Sequence, residues 1–450
     1  MTRIFAQRHW ADTLGTAIIR EKKRRVKKMI RLLMIADDFT GALDTGVQFA
    51  ACGVVTRVIT GQNVSLEELA GTCEVLVVDA ETRHMPSSAA HAVVYRIVAQ
   101  AAELGVPHIY KKTDSALRGN IGGELTALME ASGEKGLPFL PAFPQMYRNT
   151  VDGIHYINGV PVAESVFGAD PFEPVRHSRV ADLIAEQSDV AVHSFPALAE
   201  KTPIPQEGGI WVFDASSQAE LENTGKRLLA AGRLRIMAGC AGFGAVLPEL
   251  LHLGTGKPAP MPALEQNFLV ICGSVNPITV AQLDHAEAQG FLRLRLAPEQ
   301  KLDPKHWQTE SGQQELASLR QLLEENPYRI LDTNDFGGNQ ETADYAAKYG
   351  MTIQDVRKAV SSTIGYLVSQ LFSCPKLGTL LITGGDTLLQ CMDYMGIHEI
   401  EPLREMEAGV VLSRFTYHGF TRYVISKSGG FGKQNLLTAL AQTISRQSAT

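Results

Sequence analysis

Cysteine is scarce in this chain. Six cysteines occur in 450 residues, and no two are spaced as a C-x-x-C pair. No histidine lies near them at the spacing of a metal-binding motif, so the pattern argues against a metal or redox role. Most of them lie in apolar surroundings, and we predict that they are buried as small hydrophobic side chains.

Long apolar runs are also missing. A membrane-spanning helix needs roughly 18 consecutive apolar residues, and the sequence contains no such run. The charges near the N terminus are not followed by the apolar segment of a secretory signal. We therefore expect a cytoplasmic protein with no membrane partner.

Charge is unevenly distributed along the chain. The net charge is -6, but residues 1–28 contain nine Lys and Arg against two acids, a local charge of +7 that leaves -13 for the rest. A body this acidic lacks the basic face that nucleic-acid binding requires, so no nucleic-acid partner is expected. We predict that the basic 1–28 extension is a disordered, solvated tail. An arm for nucleic acid or an anionic surface is the alternative.

The chain is too long for a single hydrophobic core, so two domains are expected. Short apolar runs alternate with longer helical patterns, which is typical of α/β domains built on mainly parallel sheets. Three prolines and two glycines interrupt both patterns and predict a linker over 253–263. We predict one α/β domain over 29–252 and another over 264–450. The predicted strands are 32–36, 74–78, 108–111, 137–143, 210–213, 268–272, 328–331, 379–382 and 423–426.

Two acids, Asp37 and Asp38, directly follow the first predicted strand. Open α/β sheets bind ligands at the carboxyl ends of their strands. Paired acids at this position can hold Mg²⁺, orient a hydroxyl group or act as a base. They can also simply cap the next helix. With Asp44 close by, there are more acids than a cap needs, and this favours a functional role.

Cations and hydroxyl groups follow the next two predicted strands. Arg83 is suited to bidentate capture of a carboxylate, although an arginine alone is as often part of a surface ion pair. The segment after the third strand contains Lys111, Lys112, Thr113, Asp114 and Ser115. Together with Arg118, this mixture favours a small, anionic, polyhydroxylated ligand over a generic basic loop.

Three glycine-containing loops follow predicted strands in the second half. Their candidate residues are Ser274, then Gly384, Gly385, Asp386 and Thr387, and finally Lys427, Gly429 and Gly430. Glycines allow close backbone approach, and helix N-termini bind anions, so the three loops together favour a phosphate site over simple turns. None matches the GxxxxGK[ST] pattern. Asp386 can position Mg²⁺ or cap a helix.

Taken in order, these motifs resemble the four-carbon acid sugar kinase family, which phosphorylates D-threonate, D-erythronate and 3-oxo-tetronates. The matching segments are 36–46, 111–120, 141–144, 151–153, 383–385 and 427–432. The resemblance implies that the domain over 264–450 binds ATP and that the domain over 29–252 binds the acid sugar. It implies ATP contacts at Ser274, at 384–387 and at Gly430, and sugar contacts at Asp37 or Asp38, Arg83 and 111–114.

The resulting hypothesis is transfer of a phosphoryl group from ATP, with Mg²⁺, to the C4 hydroxyl of D-threonate. Such transfer needs positioning and charge neutralisation more than covalent chemistry. We expect both ligands to bind between the domains, whose closure would exclude water. The predicted roles are carboxylate binding by Arg83 and Lys112, hydroxyl binding by Asp37, Asp114 and Ser115, base catalysis by Asp37 or Asp38, and charge neutralisation by Lys427.

Several alternatives stay open from the sequence. Tyr147 is bulky where the family usually has glycine, so a reshaped pocket could favour D-erythronate or a 3-oxo-tetronate. A kinase for another polyol or nucleotide, or a regulatory protein that binds these ligands without turnover, are the rival functions. The sequence leaves open whether the chain forms a homo-oligomer.

Overall fold

The computed structural model describes residues 30–69, 71–170, 174–372 and 376–447. The basic extension 1–28 lies outside this part of the chain. The chain divides into two compact units, one up to Pro258 and one from Ala259. Within the described ranges, no helix is both long and apolar enough to cross a membrane. Four of the cysteines are buried there, namely Cys73, Cys240, Cys272 and Cys391.

The first unit is built on a parallel sheet. Its strands are β1 (Leu32–Ala36), β2 (Thr56–Thr60), β3 (Val75–Asp79), β4 (His108–Lys112), β5 (Gly136–Leu140), β6 (Arg148–Val151), β7 (Ile154–Ile157), β8 (Val160–Pro161), β9 (Val192–Phe195), β10 (Gly209–Phe213) and β11 (Ile236–Gly239). Eight of them pair in the order β2-β3-β1-β4-β11-β5-β10-β9, and every pairing is parallel. The short strands β6, β7 and β8 form a separate antiparallel sheet.

Helices connect the parallel strands of the first unit. They are α1 (Phe39–Ala51), α2 (Leu66–Leu69), α3 (Ser87–Leu104), α4 (Ile121–Ser132), α5 (Val180–Ala185), α6 (Gln218–Ala230), α7 (Ala241–Gly244) and α8 (Leu247–Leu250). All five residues of β1 and of β3 are buried. Such continuous apolar strands are expected where helices cover both faces of a parallel sheet.

The second unit has a mixed sheet. Its strands are β12 (Phe268–Cys272), β13 (Leu292–Arg295), β14 (Tyr328–Asp332), β15 (Thr379–Thr383), β16 (Glu399–Glu407), β17 (Val410–Tyr417) and β18 (Phe420–Lys427). The order is β13-β14-β12-β15-β18-β17-β16, parallel as far as β18 and antiparallel from there. The helices are α9 (Pro277–Ala288), α10 (Pro298–Leu302), α11 (Glu310–Glu325), α12 (Gln340–Lys348), α13 (Ile353–Leu371), α14 (Gly385–Tyr394) and α15 (Leu436–Gln447).

These two sheets confirm the predicted α/β class. Their registers also align the carboxyl ends of neighbouring strands. In the first unit, Ala36 pairs with both Asp79 and Lys112. In the second unit, Thr383 pairs with both Cys272 and Lys427. Loops that follow these strands therefore emerge side by side at one edge of each sheet, where ligands of α/β proteins bind.

Candidate active site

Arg83 holds the acidic residues of the first unit together. Its Nε donates to Asp37 Oδ2 and its Nη1 to Asp38 Oδ2, each at 2.8 Å. Its Nη2 lies 3.6 Å from Asp114 Oδ1. The guanidinium group thus faces three protein carboxylates, and its planar fork fixes their positions. Asp38 also accepts from the N–H of Gly41 at 3.1 Å and thereby caps α1.

The two adjacent acids differ in accessibility. Asp37 is 1% exposed. Burial alone would raise its pKa, but Arg83, Lys111 and Lys112 outweigh burial and lower the pKa below its ordinary value. Its Oδ1 has no hydrogen-bond partner among the described residues. The side chain of Asp38 is 25% exposed, so Asp38 is the acid that a substrate can reach.

The two lysines at the end of β4 have different partners. Lys111 is fully buried and forms an ion pair with Glu124 of α4 at 3.0 Å. Burial raises the pKa of Glu124. Lys112 Nζ instead donates to the carbonyl of Thr113 at 3.0 Å. In the part of the chain that the structure describes, no carboxylate lies within ion-pair distance of Lys112. Lys112 is therefore available to neutralise a ligand.

Lys112 lies at the N-terminus of α1, next to Asp38. A Cβ atom added at Gly41 would lie 2.6 Å from Lys112 Nζ and 2.5 Å from Asp38 Oδ1. Only a residue without a side chain leaves this space open. The ammonium group and the accessible carboxylate consequently share one small region above the end of β1.

Asp114 organises the loop after β4. Its Oδ2 accepts from the N–H of Ala116 at 3.1 Å and from Arg118 Nε at 2.9 Å, while Oδ1 accepts from Arg118 Nη2 at 2.9 Å. Burial alone would raise the pKa of Asp114, but Arg83 and Arg118 hold it well below its usual range. Both oxygens are thus occupied, and Asp114 positions Arg118.

The small antiparallel sheet also reaches this loop. The Ser115 hydroxyl accepts a hydrogen bond from Arg148 Nη1 at the start of β6. The Ser115 carbonyl accepts from His155 Nε2 at 3.0 Å, so His155 Nδ1 is the acceptor for the Thr150 hydroxyl, also at 3.0 Å. Burial lowers the pKa of His155 to about 4. The neutral imidazole fits this arrangement and fixes Ser115.

In the second unit, Gly384 is the N-cap residue of α14 and follows the carboxyl end of β15. Its φ of 94° favours glycine, and its N–H donates to the carbonyl of Lys427 at 2.9 Å. The first N–H groups of a helix have no partner within the helix and form an anion site. Gly273 lies so close to this helix that a Cβ atom there would meet Thr387 Oγ1 at 2.3 Å. The loops after β12 and β15 therefore approach each other closely.

Lys427 is a buried cation at the same edge, 2% exposed. Its Nζ donates to Thr279 Oγ1 at 3.0 Å and to the carbonyls of Ser428 and Gly429 at 3.0 and 3.2 Å. Burial lowers its pKa to about 8. Throughout the described ranges, it has no carboxylate at ion-pair distance. These groups fit an anionic ligand.

The other candidate residues of the second unit make fewer contacts. Ser274 Oγ accepts from the N–H of Asn276 at 3.2 Å, at the start of α9. Asp386, in the first turn of α14, and Gly430 are exposed. Among the residues that the structure describes, no group of three or more His, Cys, Asp or Glu is arranged to hold a metal ion. Asp386 is a candidate carboxylate ligand at this edge.

Comparison with known proteins matches each half of the chain to a domain family. A model of a sugar-binding N-terminal domain matches residues 32–247, and a model of a nucleotide-binding C-terminal domain matches 269–437. A D-threonate kinase from Salmonella typhimurium is 30% identical over 424 residues, which cover 91% of this chain and 97% of that protein. The chain belongs to the four-carbon acid sugar kinase family.

A second kinase of this family is similar in sequence, and one solved structure shares the fold. A D-erythronate kinase from Heliobacterium modesticaldum is 24% identical over 89% of this chain and 94% of that protein. A crystal structure of a Haemophilus influenzae protein has a TM-score of 0.68 at 20% identity and covers 92% of this chain and all of that protein. At this identity the crystal structure shows the shared fold alone.

Within this family member, the structure groups the predicted residues at the two edges. Asp37, Arg83 and the 111–115 segment lie in one network, whereas Ser274, 384–387 and 427–430 lie at the edge of the second sheet. Arg148 and Glu124 were missed. The signal for Glu124 was its position in the first turn of the helix that follows the lysine-rich loop. The signal for Arg148 was its position directly after Tyr147, a bulky residue where the family usually has glycine.

Tyr147 lies at the surface of the first unit. Its side chain is 71% exposed, so it does not pack against the charged cluster of the first unit. Its φ of 54° places it in the left-handed region at the end of the 3₁₀ turn Pro144–Met146. This conformation explains why glycine is usual at the position. The left-handed backbone at Tyr147 ends this turn, and β6 begins at the next residue.

Proposed function

We propose that this chain is an ATP-dependent kinase that phosphorylates the C4 hydroxyl of a four-carbon acid sugar, with D-threonate as the first candidate. The observation that carries the proposal is the proximity of Lys112 Nζ to the accessible carboxylate of Asp38. Among the described residues, Lys112 has no carboxylate within ion-pair distance. A cation beside a reachable base suits transfer of a negatively charged group to a hydroxyl. The D-threonate kinase from Salmonella supports this choice of substrate.

Asp38 is the proposed base. It would accept the proton of the C4 hydroxyl as the oxygen attacks the terminal phosphorus of ATP, and Lys112 would neutralise charge on the transferred group. Asp37 is buried and ionised, and it would hold Arg83 in place. The side chains of Arg83 and Asp114 are only 10% and 8% exposed, so they would position the site and leave direct ligand contact to the more exposed Asp38.

The edge of the second sheet would hold ATP. The N-terminus of α14, from Gly384 to Thr387, and the loop over 427–430 would surround its phosphates, with Lys427 as the buried cation. The close approach of the loops after β12 and β15 at Gly273 supports this fit. Mg²⁺ would neutralise phosphate charge, and Asp386 is the side chain that could help to hold it.

A coupled assay of ADP release tests this proposal. The full chain would be given MgATP with D-threonate, D-erythronate or a 3-oxo-tetronate, and with polyols and nucleosides as other acceptors. We expect tetronate-dependent ADP release, fastest with D-threonate. Faster release with another tetronate would change the substrate and keep the reaction. Nucleotide binding without ADP release for any acceptor would favour the regulatory protein and contradict the proposal.

A further inference from the structure

Arg148 is a partly buried cation without a counterion. Its Nη1 donates to the Ser115 hydroxyl. Across the described part of the chain, no carboxylate lies within ion-pair distance of its guanidinium group. Burial lowers the pKa of Arg148, which reflects the cost of placing this charge away from water. A buried cation with unused donors is suited to binding an anion.

Arg148 shares an aromatic ring with a second arginine. The guanidinium carbons of Arg118 and Arg148 each lie 5.2 Å from the centroid of the Phe167 ring. Cation–π contacts of this kind orient guanidinium groups without using their hydrogen-bond donors. Arg118 donates two side-chain hydrogen bonds to Asp114. Arg148 donates one, to Ser115, so its other N–H groups can bind a ligand.

The charges along this network do not balance. Arg83 links Asp37 and Asp38 to Asp114, and Arg118 links Asp114 to the Phe167 ring. This network contains three carboxylates. The four cations in or beside the same network are Arg83, Lys112, Arg118 and Arg148. Lys111 is matched separately by Glu124. Asp79 lies near the same acids, but burial and those acids raise its pKa well above the usual value and favour its neutral form. Without Asp79, the network has one more cation than carboxylates, and a single carboxylate would neutralise that charge.

The position of Arg148 is fixed before any ligand binds. β6 pairs with β7 so that Arg148 lies opposite Ile157. His155, on the same strand β7, holds the carbonyl of Ser115, and Ser115 in turn accepts from Arg148. A preorganised guanidinium group loses little entropy when it binds a carboxylate.

We propose that Arg148 binds the carboxylate of the acid sugar and selects acids over uncharged polyols. This inference rests on the proposed kinase function and defines how the bound substrate would be oriented. The C4 hydroxyl would face Asp38 and Lys112, and the C1 carboxylate would face Arg148 beyond Asp114. Arg148 is then a specificity-determining residue that neither the motifs nor the resemblance assigned.

The test compares an acid with its uncharged analogue. KM and kcat would be measured for D-threonate and D-threitol with the full-length wild type and with Arg148→Gln and Arg148→Lys. Loss of a charge-assisted contact should raise KM for D-threonate about 10- to 100-fold in Arg148→Gln, with kcat changed less than about threefold. Arg148→Lys should recover part of the loss. The kcat/KM for D-threitol should stay the same in all three proteins.

A matched control removes a different arginine of the first unit. Arg235 forms an exposed ion pair with Glu134 at 2.9 Å, at the opposite end of β4. Arg235→Gln should leave both substrates unaffected. An unchanged KM for D-threonate in Arg148→Gln, or an equal loss for D-threitol, would overturn the assignment.

A binding titration separates this inference from the proposed function. D-threonate would be titrated calorimetrically into each full-length protein without nucleotide. Binding by the wild type that weakens at least tenfold in Arg148→Gln would support the carboxylate assignment, even if no tetronate released ADP. Binding that is equal in the two proteins, or absent from the wild type, would overturn it.

Discussion

At the scale of single residues, the site depends on two neighbouring acids that share one arginine. Asp38 is accessible and caps α1, whereas Asp37 is buried and surrounded by cations. The two acids are adjacent in sequence and both accept from Arg83 at 2.8 Å, so exposure and helix capping are what distinguish them. The two positions should therefore respond differently to the same substitution.

The first prediction is that Asp38→Asn removes the base but keeps the fold. Asparagine caps helices as well as aspartate does, so the melting temperature should change little. Loss of a general base should lower kcat by about 10²- to 10⁴-fold. The measurement is kcat for ADP release together with thermal unfolding.

Asp37→Asn is the contrasting variant. It would leave buried cations around Asp37 without their carboxylate and should destabilise the chain by about 3–5 kcal/mol. Full turnover in both variants, with intact folding, would contradict the roles of the two acids.

A second prediction concerns the charge of Lys427. Burial lowers its pKa to about 8, below the ordinary lysine value, so the free protein loses this charge as the pH rises through about 8. ADP affinity should therefore fall between pH 7 and pH 9. The measurement is calorimetric ADP binding at several pH values. Lys427→Arg remains charged, so its affinity should vary less over this range; an identical pH dependence in both proteins would rule out this role.

The same pKa has a consequence for stability. The unfolded chain binds a proton at Lys427 up to a higher pH than the folded chain does. Between about pH 8 and the ordinary lysine pKa, this residue alone makes the folded state more stable as the pH rises. The buried charge thus costs stability at neutral pH, and phosphate binding would offset that cost.

At the scale of elements, the two ends of α14 provide a matched pair of glycines. Gly384 precedes the helix with a φ of 94°, and Gly396 follows it with a φ of 66°. A Cβ atom at Gly396 would meet nothing within 4 Å. Both positions favour glycine for backbone reasons, but only Gly384 lies at the proposed phosphate site.

The third prediction uses this pair. Gly396→Ala should lower the free energy of unfolding by about 1–2 kcal/mol, because alanine is disfavoured in the left-handed region. Gly384→Ala should lower it by at least as much, because its ψ of 124° lies outside that region. Only Gly384→Ala should also raise KM for ATP. Steady-state kinetics and chemical denaturation would measure the two effects. An unchanged KM for ATP in Gly384→Ala would remove this helix end from the nucleotide site.

The sequence predicted buried elements better than edge elements. The strands over 32–36 and 268–272 occur with the predicted bounds, since both are continuous apolar runs buried on both faces. The edge strand Leu292–Arg295 alternates leucine with arginine and is half-buried throughout, so it gave little signal. Glu399–Glu407 contains Pro402 and many charges, so its strand pattern was weak.

The sequence located the candidate site residues at the ends of particular strands, but it did not identify their individual contacts. Asp37, the 111–115 segment and the glycine loops all follow parallel strands, and the rule for open α/β sheets places them at the edges. Individual partners were not predictable, because they depend on contacts between distant segments. Arg148 meets Ser115 only through the short antiparallel sheet, whose strands have no strong apolar pattern.

At the scale of the whole molecule, the account divides the work between two units. Residues 32–247 match a sugar-binding domain and 269–437 match a nucleotide-binding domain. The geometry of each edge suits its own ligand: hydroxyl groups and cations in the first, a helix N-terminus and a buried lysine in the second. Only the full chain would then carry out phosphoryl transfer.

The measurement that tests this account most directly is the position of the transferred phosphate. Full-length protein would be incubated with MgATP and D-threonate, and the product examined by proton-coupled ³¹P NMR. Transfer to C4 places phosphorus next to a CH₂ group, so the account predicts a new phosphomonoester signal split into a triplet. A doublet, from phosphate on a CH group, or no new signal from a folded protein would contradict it.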